Sequence, residues 1–417
     1  MTLRTTLDAG ATEDVVAVIE AAADAYEARR RRGAWHGRQP VHTVYVPADR
    51  FDAGTLAAWR DDATDLVDRH LASPDDLADV FGIDRDLAPD VRARVAAKLA
   101  AEPIEDLRID FEDGYGDRDD DVEDADARRA AQVIAGSGAP AFVGLRVKSF
   151  ADGRHLRAVR TLDGFVTALL DATGGTLPDG FVITFPKIVA VAHVEAFATL
   201  LDRLEHAVGL PERSLVFEIQ VETTASVLGH AGRATLPALV DAAAGRLVGV
   251  HFGVFDYTAA CGLPGDQQRL DHPACDFARH VMQVTLAGTG IRLSDGSTNR
   301  TPADDSTAAV HAVWAHHAAL VRHSLTHGFY QGWDMHPSHL VSRFAVVHAF
   351  HLAHLDDTTA RLAAWSTAAG PSGVVDEPAT IRALLGSLRR AVDCGAIDAD
   401  DACAAAGIDR ATLDGAG

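Results

Sequence analysis

Glu222 follows the run Val216–Val221, and Asp256 follows Leu247–Gly253, with one helical pattern between them. A carboxylate at the end of a buried strand is costly unless something meets its charge. Two acids, each just past an apolar strand and one crossover apart, could face one another at one end of a parallel barrel. Other charged residues fall at the ends of predicted strands: Asp110, Glu112 and Asp113, then Arg146 and Lys148, then Lys187. Several carboxylates with two or three cations describe a site for an anionic substrate. Glu222 and Asp256 suit Mg2+ (or Mn2+), which takes few protein carboxylates and leaves positions for water and a chelating ligand. The remaining acids would hold the waters on that ion. Arg146 would clamp a substrate carboxylate through two parallel hydrogen bonds. Such a centre would stabilise the charge that develops when a carbon–carbon bond next to a carbonyl breaks or forms. Lys187, after Pro186, has three readings: a surface lysine, a charge partner for the acids, or a Schiff-base nucleophile. Asp113 and Asp256 also have a plainer reading as helix N-caps.

Eight short apolar runs position these residues. They are Val41–Val46, Leu107–Asp110, Phe142–Lys148, Phe181–Lys187, Val216–Val221, Leu247–Gly253, a weak run at Gly290–Ser294 and another at Gly332–Pro337. Helical patterns lie between nearly all of them, including a long connection from about residue 53 to 101. Alternation of this kind over about 300 residues predicts an α/β fold, a (β/α)8 TIM barrel. A doubly wound open sheet is the runner-up, but no Gly-x-Gly-x-x-Gly turn follows any strand. The expected organisation is a helical arm over residues 1–40, a catalytic barrel over 41–345 and a helical lid segment over 346–417. A hinge is expected at Gly370–Gly373.

The chain has 417 residues, nearly half of them hydrophobic, so a sizeable core is expected. A formal charge of −22 argues against nucleic acid or an anionic membrane as partner. Neither a secretory leader nor a run of about 18–20 apolar residues is visible. The expected location is cytoplasmic. Four cysteines without Cys-x-x-Cys spacing signal neither a zinc site nor a disulfide framework.

Three other clusters have plain readings. Arg29–Arg32 before Gly33 suits a solvated helix C-terminus, with an anion site as the alternative. The acidic stretch Asp117–Asp126 lacks the glycine of an EF-hand and reads as a solvated loop ahead of a helix at Ala127–Ile134. His323 and His327, or His348, His351 and His354, could share a helix face and bind metal. Without a flanking acid or cysteine they read as surface or packed histidines.

The chain resembles the citrate lyase β-subunit-like branch of the HpcH/HpaI aldolase superfamily, through motifs in the same order. Val44–Arg50 resembles its opening strand and proline-to-arginine turn, and Ile109–Asp113 its Asp-Leu-Glu-Asp motif. Leu145–Lys148 resembles its Arg-Val-Asn strand, and Phe185–Lys187 its Pro-Lys strand end. Val221–Thr223 and Phe252–Asp256 resemble its two metal-ligand motifs. Gly328–Ser338 resembles the segment closing the barrel, and Val374–Pro378 the lid motif. The resemblance implies Mg2+ on Glu222 and Asp256, substrate on Arg146, Arg50 and Lys148, and Glu112 and Asp113 behind the metal. It implies Asp376 as the acid/base residue, reaching a neighbouring subunit's site in a homo-oligomer, commonly a trimer or hexamer. Lys148 replaces the family's asparagine, and Asp334 stands where a cation precedes the His-Pro. A free 2-oxo acid therefore stands beside an acyl-CoA thioester as the expected substrate.

The expected function is a Mg2+-dependent carbon–carbon lyase acting on a hydroxy-dicarboxylate. Its rivals are a Schiff-base aldolase using Lys187, a metal-dependent acyl-CoA thioesterase, and a non-catalytic binding protein on the same fold.

Overall fold

The computed structural model describes residues 6–7, 10–30, 37–136, 138–151, 153–366 and 377–415. Asp376, the Gly370–Gly373 hinge and Arg31–Gly33 lie outside the described residues, as do the side chains of Arg29 and Arg30.

Helix α1 (Glu13–Arg30) precedes β1 (His42–Pro47). The long first crossover is α2 (Thr55–His70), α3 (Pro74–Phe81) and α4 (Ala88–Ala101). Then come β2 (Asp106–Asp110), α5 (Asp120–Gly136), β3 (Phe142–Arg146), α6 (His155–Thr173), β4 (Phe181–Phe185) and α7 (Val191–Val208). β5 (Val216–Val221) leads through α8 (Thr224–Val227) and α9 (Leu236–Ala242) to β6 (Leu247–Phe252). After α10 (Val254–Ala260) and α11 (Pro273–Leu286), β7 (Arg292–Ser294), α12 (Thr307–Thr326) and β8 (Gly332–Asp334) complete the sheet. The chain ends in α13 (Pro337–Leu352), α14 (Leu355–Ser366), α15 (Pro378–Asp393), α16 (Ala399–Ala406) and α17 (Arg410–Asp414).

All eight strands are parallel, in the order β7-β6-β5-β4-β3-β2-β1-β8. A bridge from Ser294 to Gln331 and the bond from Asp295 N–H to the Gln331 carbonyl bring β7 to β8. The result is the predicted (β/α)8 barrel.

Strand side chains alternate between two environments. Leu107, Ile109, Leu145, Ile183, Phe185, Phe217, Ile219 and Phe252 belong to the apolar core beneath the helices. Phe185, for example, stacks on Phe197 of α7 with ring centroids 4.3 Å apart. The other parity is polar and ion-paired. Arg108 bonds Thr184 and Glu218, each at 3.1 Å, and pairs with Asp106. Glu218 takes the Nε2 side of His251 at 2.8 Å, and Thr43 donates to Asp106 at 2.9 Å. Barrel interiors are usually filled by branched aliphatic side chains. Here a buried charge network fills one level. Close approach is required beside it: a Cβ on Gly144 would fall 1.7 Å from the Val182 carbonyl oxygen.

Part of the acidic stretch departs from the loop reading. Residues 120–126 are the first turns of α5, where acids favour the positive end of the helix. Asp124 is held by Arg160 and then Arg157, which pull its carboxyl down to about 2, and Glu123 is buried against Lys148.

Helices α14–α17 carry a small core of their own around Leu362, Ile381, Leu388 and Leu413. No helix among the described residues is long and apolar enough to cross a membrane.

Candidate active site

The acids gather around Lys187 at the carboxyl ends of β2, β5 and β6. Its Nζ lies 2.5 Å from Glu112, 2.7 Å from Asp113 and 3.6 Å from Asp256. Lys187 has φ of 51°, in the left-handed region that non-glycine residues rarely occupy. That conformation also aims its backbone N–H at Glu222 Oε1, 2.6 Å away. One strained residue thus ties together the exits of three strands, and strain of this kind concentrates at functional sites.

Glu222 is 4% exposed. Burial, then the negative charges of Glu112 and Asp256, push its carboxyl up to about 8 against the opposing pull of Arg146. Gly253 makes room for it, since a Cβ there would lie 2.4 Å from Glu222 Cβ and 2.7 Å from Oε2. Asp256 sits in the first turn of α10 rather than at its cap, which is Gly253, and about half of its side chain is exposed. Asp113 is not a cap either, being more than half exposed beside the lysine. Burial raises Glu112, with the Asp113 charge adding to it and Arg146 and Lys187 opposing. Burial also disfavours the charged forms of Asp113 and Lys187, but Glu112 and then Asp113 raise the ammonium, while Lys187 and Arg146 lower Asp113.

Arg146 is buried beside the paired rings of Tyr45 and Trp333, with its guanidinium carbon 5.0 and 5.2 Å from their centroids. Its two parallel hydrogen bonds, both 2.7 Å, go to Asp110 and not outward. Asp110 in turn accepts the N–H groups of Glu112 and Gly114, shaping the turn that presents Glu112 and Asp113. Nη1 remains directed at Glu112, 3.2 Å away, and Gln220, 3.4 Å away. The bidentate clamp expected on a substrate is therefore spent on the scaffold.

Lys148 differs more sharply from its expected role on substrate. Its Nζ donates to the carbonyls of Phe111 and Gly116 and to Glu123, at 2.7, 3.1 and 2.8 Å. An ammonium has three protons, and all three are used beneath the β2 turn. Arg50 lies in neither group. It lines a neighbouring cavity of about 520 Å³ with Tyr45, Asp52, Trp59, Asp62 and His336.

The structure thus unites Glu112, Asp113, Lys187, Glu222 and Asp256, with Arg146 behind them. Sequence reasoning passed over Tyr45, Gln220, Trp333 and Gly253. Their signal was parity: Gln220 is two residues before Glu222 on the same strand face.

Four carboxylates (Asp110, Glu112, Asp113, Asp256) meet two cations here, Arg146 and Lys187, and a fifth, Glu222, accepts the Lys187 backbone N–H. Oxygen-only donors of this kind suit a hard divalent cation, with the Lys187 ammonium now standing among them.

Residues 20–417 match the family described as a domain of unknown function, DUF6986. The chain belongs to that family. No curated protein matches it. Among solved structures, this DUF6986 chain is similar to a citrate lyase from Burkholderia xenovorans, at 19% identity over 90% of this chain and 98% of that one, with a TM-score of 0.54. It is also similar to a malate synthase magnesium/glyoxylate complex from Haloferax volcanii, at 16% identity over 73% of this chain and 74% of that one, with a TM-score of 0.47. An HpcH/HpaI aldolase/citrate lyase family protein from Burkholderia cenocepacia shares 13% identity over 79% of this chain and 99% of that one, with a TM-score of 0.40. The fold is the one its motifs implied, carried by a divergent chain.

Proposed function

We propose that this DUF6986 protein is a divalent-metal-dependent carbon–carbon lyase acting on a hydroxy-dicarboxylate. The observation that carries this is the gathering of Glu112, Asp113 and Asp256 around the Lys187 ammonium, with Glu222 on the same residue's backbone N–H, at the carboxyl ends of the barrel strands. Catalytic side chains belong at that face of a barrel. Glu222 and Asp256 would hold Mg2+ or Mn2+, with Glu112 and Asp113 behind them. The ion would supply Lewis-acid polarisation of a bound carbonyl.

The protein's own residues would do the rest. Asp110, fixed by Arg146, holds the acid-bearing turn in place. Lys187 balances the cluster's charge and presents an ammonium at the mouth. Asp376 would carry the proton as acid/base residue from a neighbouring subunit of a homo-oligomer. A free 2-oxo acid is favoured over a CoA thioester, because Asp52 and Asp62 share the cavity beside the mouth with Arg50 and would repel a polyphosphate. Imine chemistry is disfavoured: a Schiff-base lysine must be neutral, and the carboxylates around Lys187 hold its proton.

The test is turnover of 2-oxo and hydroxy acids, free and as CoA thioesters, before and after EDTA, followed by Glu222→Ala and Asp256→Ala. Activity should require the added metal and fall at least about a hundredfold in each variant. Undiminished turnover after EDTA and in both variants would end the proposal.

A further inference from the structure

Away from the barrel mouth, α11 and the end of α12 each present two ligand-capable side chains four residues apart: Asp276 and His280 on α11, His323 in the last turn of α12 and His327 at its C-cap. Residues four apart share a helix face. Ligand atoms of Asp276, His323 and His327 all lie within 4.8 Å of one another. The acid that the local sequence around the histidines lacks comes from the neighbouring helix. We propose that these residues form a second metal site, for a borderline cation of the Zn2+ class, that clamps α11 to α12.

Three observations support this. The Nε2 atoms of His323 and His327 lie 2.8 and 3.8 Å from Asp276 Oδ1. Donors about 2.1 Å from a tetrahedral zinc stand about 3.4 Å apart, and these two separations bracket that value. His327 Nδ1 donates to the His323 carbonyl at 2.8 Å, so in the neutral ring Nε2 carries a lone pair. A bond from the far ring nitrogen to a carbonyl is how ligating histidines are oriented. That lone pair faces a carboxylate oxygen, an unfavourable pairing unless a cation or a proton lies between them. The His280 ring stacks on that of His327, 5.7 Å centroid to centroid, outside the three-ligand group, which leaves the fourth zinc position to solvent.

Arg279 Nη1 also touches Asp276 Oδ1, at 2.7 Å, but its Nε is bound to Asp295 and its Nη2 to the Leu270 carbonyl. A carboxylate oxygen has two lone pairs, so Asp276 Oδ1 can accept from Arg279 with one and face the cation with the other. Two imidazoles with one carboxylate select zinc-like ions over Mg2+. The side chains are about a quarter exposed, which leaves an entry path.

The proposal is independent of the reading of the barrel mouth, and its test needs no substrate. EDTA-stripped, full-length protein is titrated with Zn2+ under excess Mg2+ by calorimetry, alongside Glu222→Gln, His327→Gln and His323→Ala/His327→Ala. Wild type and Glu222→Gln should each bind one Zn2+ with equal affinity. The histidine variants should bind at least about tenfold more weakly, with Co2+ absorption changing from four-coordinate to open form. Absence of Zn2+ binding by wild type, or equal binding by the histidine variants, would overturn the site. Loss of Zn2+ binding in Glu222→Gln with retention in the histidine variants would place the ion at the mouth and overturn it equally.

Discussion

Neutralising Glu222 is the most exacting perturbation of the barrel mouth. Its carboxyl is pushed up to about 8 from an ordinary 4.5. The folded chain therefore keeps a proton between these values that the unfolded chain releases. Stability should fall as pH rises through this window, by at most about 1.4 kcal/mol per pH unit and on the order of 5 kcal/mol in total. Metal binding requires the ionised form, so Mg2+ must expel that proton. With the group half-ionised near pH 8, roughly nine tenths of a proton should leave per Mg2+ at pH 7 and roughly one tenth at pH 9. Calorimetry in buffers of different ionisation enthalpy reads this directly, as the slope of apparent binding enthalpy against buffer enthalpy. Glu222→Gln should abolish both the release and the loss of stability with pH, and should weaken Mg2+ binding. Mg2+ binding without proton release at pH 7 in the wild-type protein, or unaltered Mg2+ binding by Glu222→Gln, would refute the reasoning.

Three further expectations test other parts of the argument. Gly253→Ala should destabilise the protein by about 1–3 kcal/mol through overpacking and weaken Mg2+ binding, since the new Cβ meets Glu222 at 2.4 Å; urea unfolding and calorimetry measure the two effects. Arg108→Met should cost about 3–5 kcal/mol in urea unfolding, because Asp106 and Glu218 are left buried without their cation, and a cost below about 1 kcal/mol would contradict the network's role. Borohydride with pyruvate should leave the mass of the protein unchanged, because Lys187 stays charged; a reduced adduct on Lys187 would revive the imine route.

Much of the fold was legible because strand and helix periods are local properties. Eight apolar runs, each short and followed by a helical pattern, specify a barrel without knowledge of any contact. Strand-end acids were legible for the same reason, since a strand's exit can be counted along the chain. Asp124 was harder to place: acids that look solvated in sequence are also what a helix N-terminus prefers, so the loop reading of residues 120–126 gave way to helix.

The sequence by itself determined the order of the strands and the placing of Glu112, Lys187, Glu222 and Asp256 at one rim. Only tertiary structure decided whom the charged residues meet. Arg146 faces Asp110 across adjacent strands, Lys148 is consumed under a turn by Glu123, and Asp276 arrives beside His323 from a helix 47 residues away. Hydropathy marks which side of an element is buried. Pairing among buried charges depends on strand register and helix packing, which bring together side chains that no local period relates.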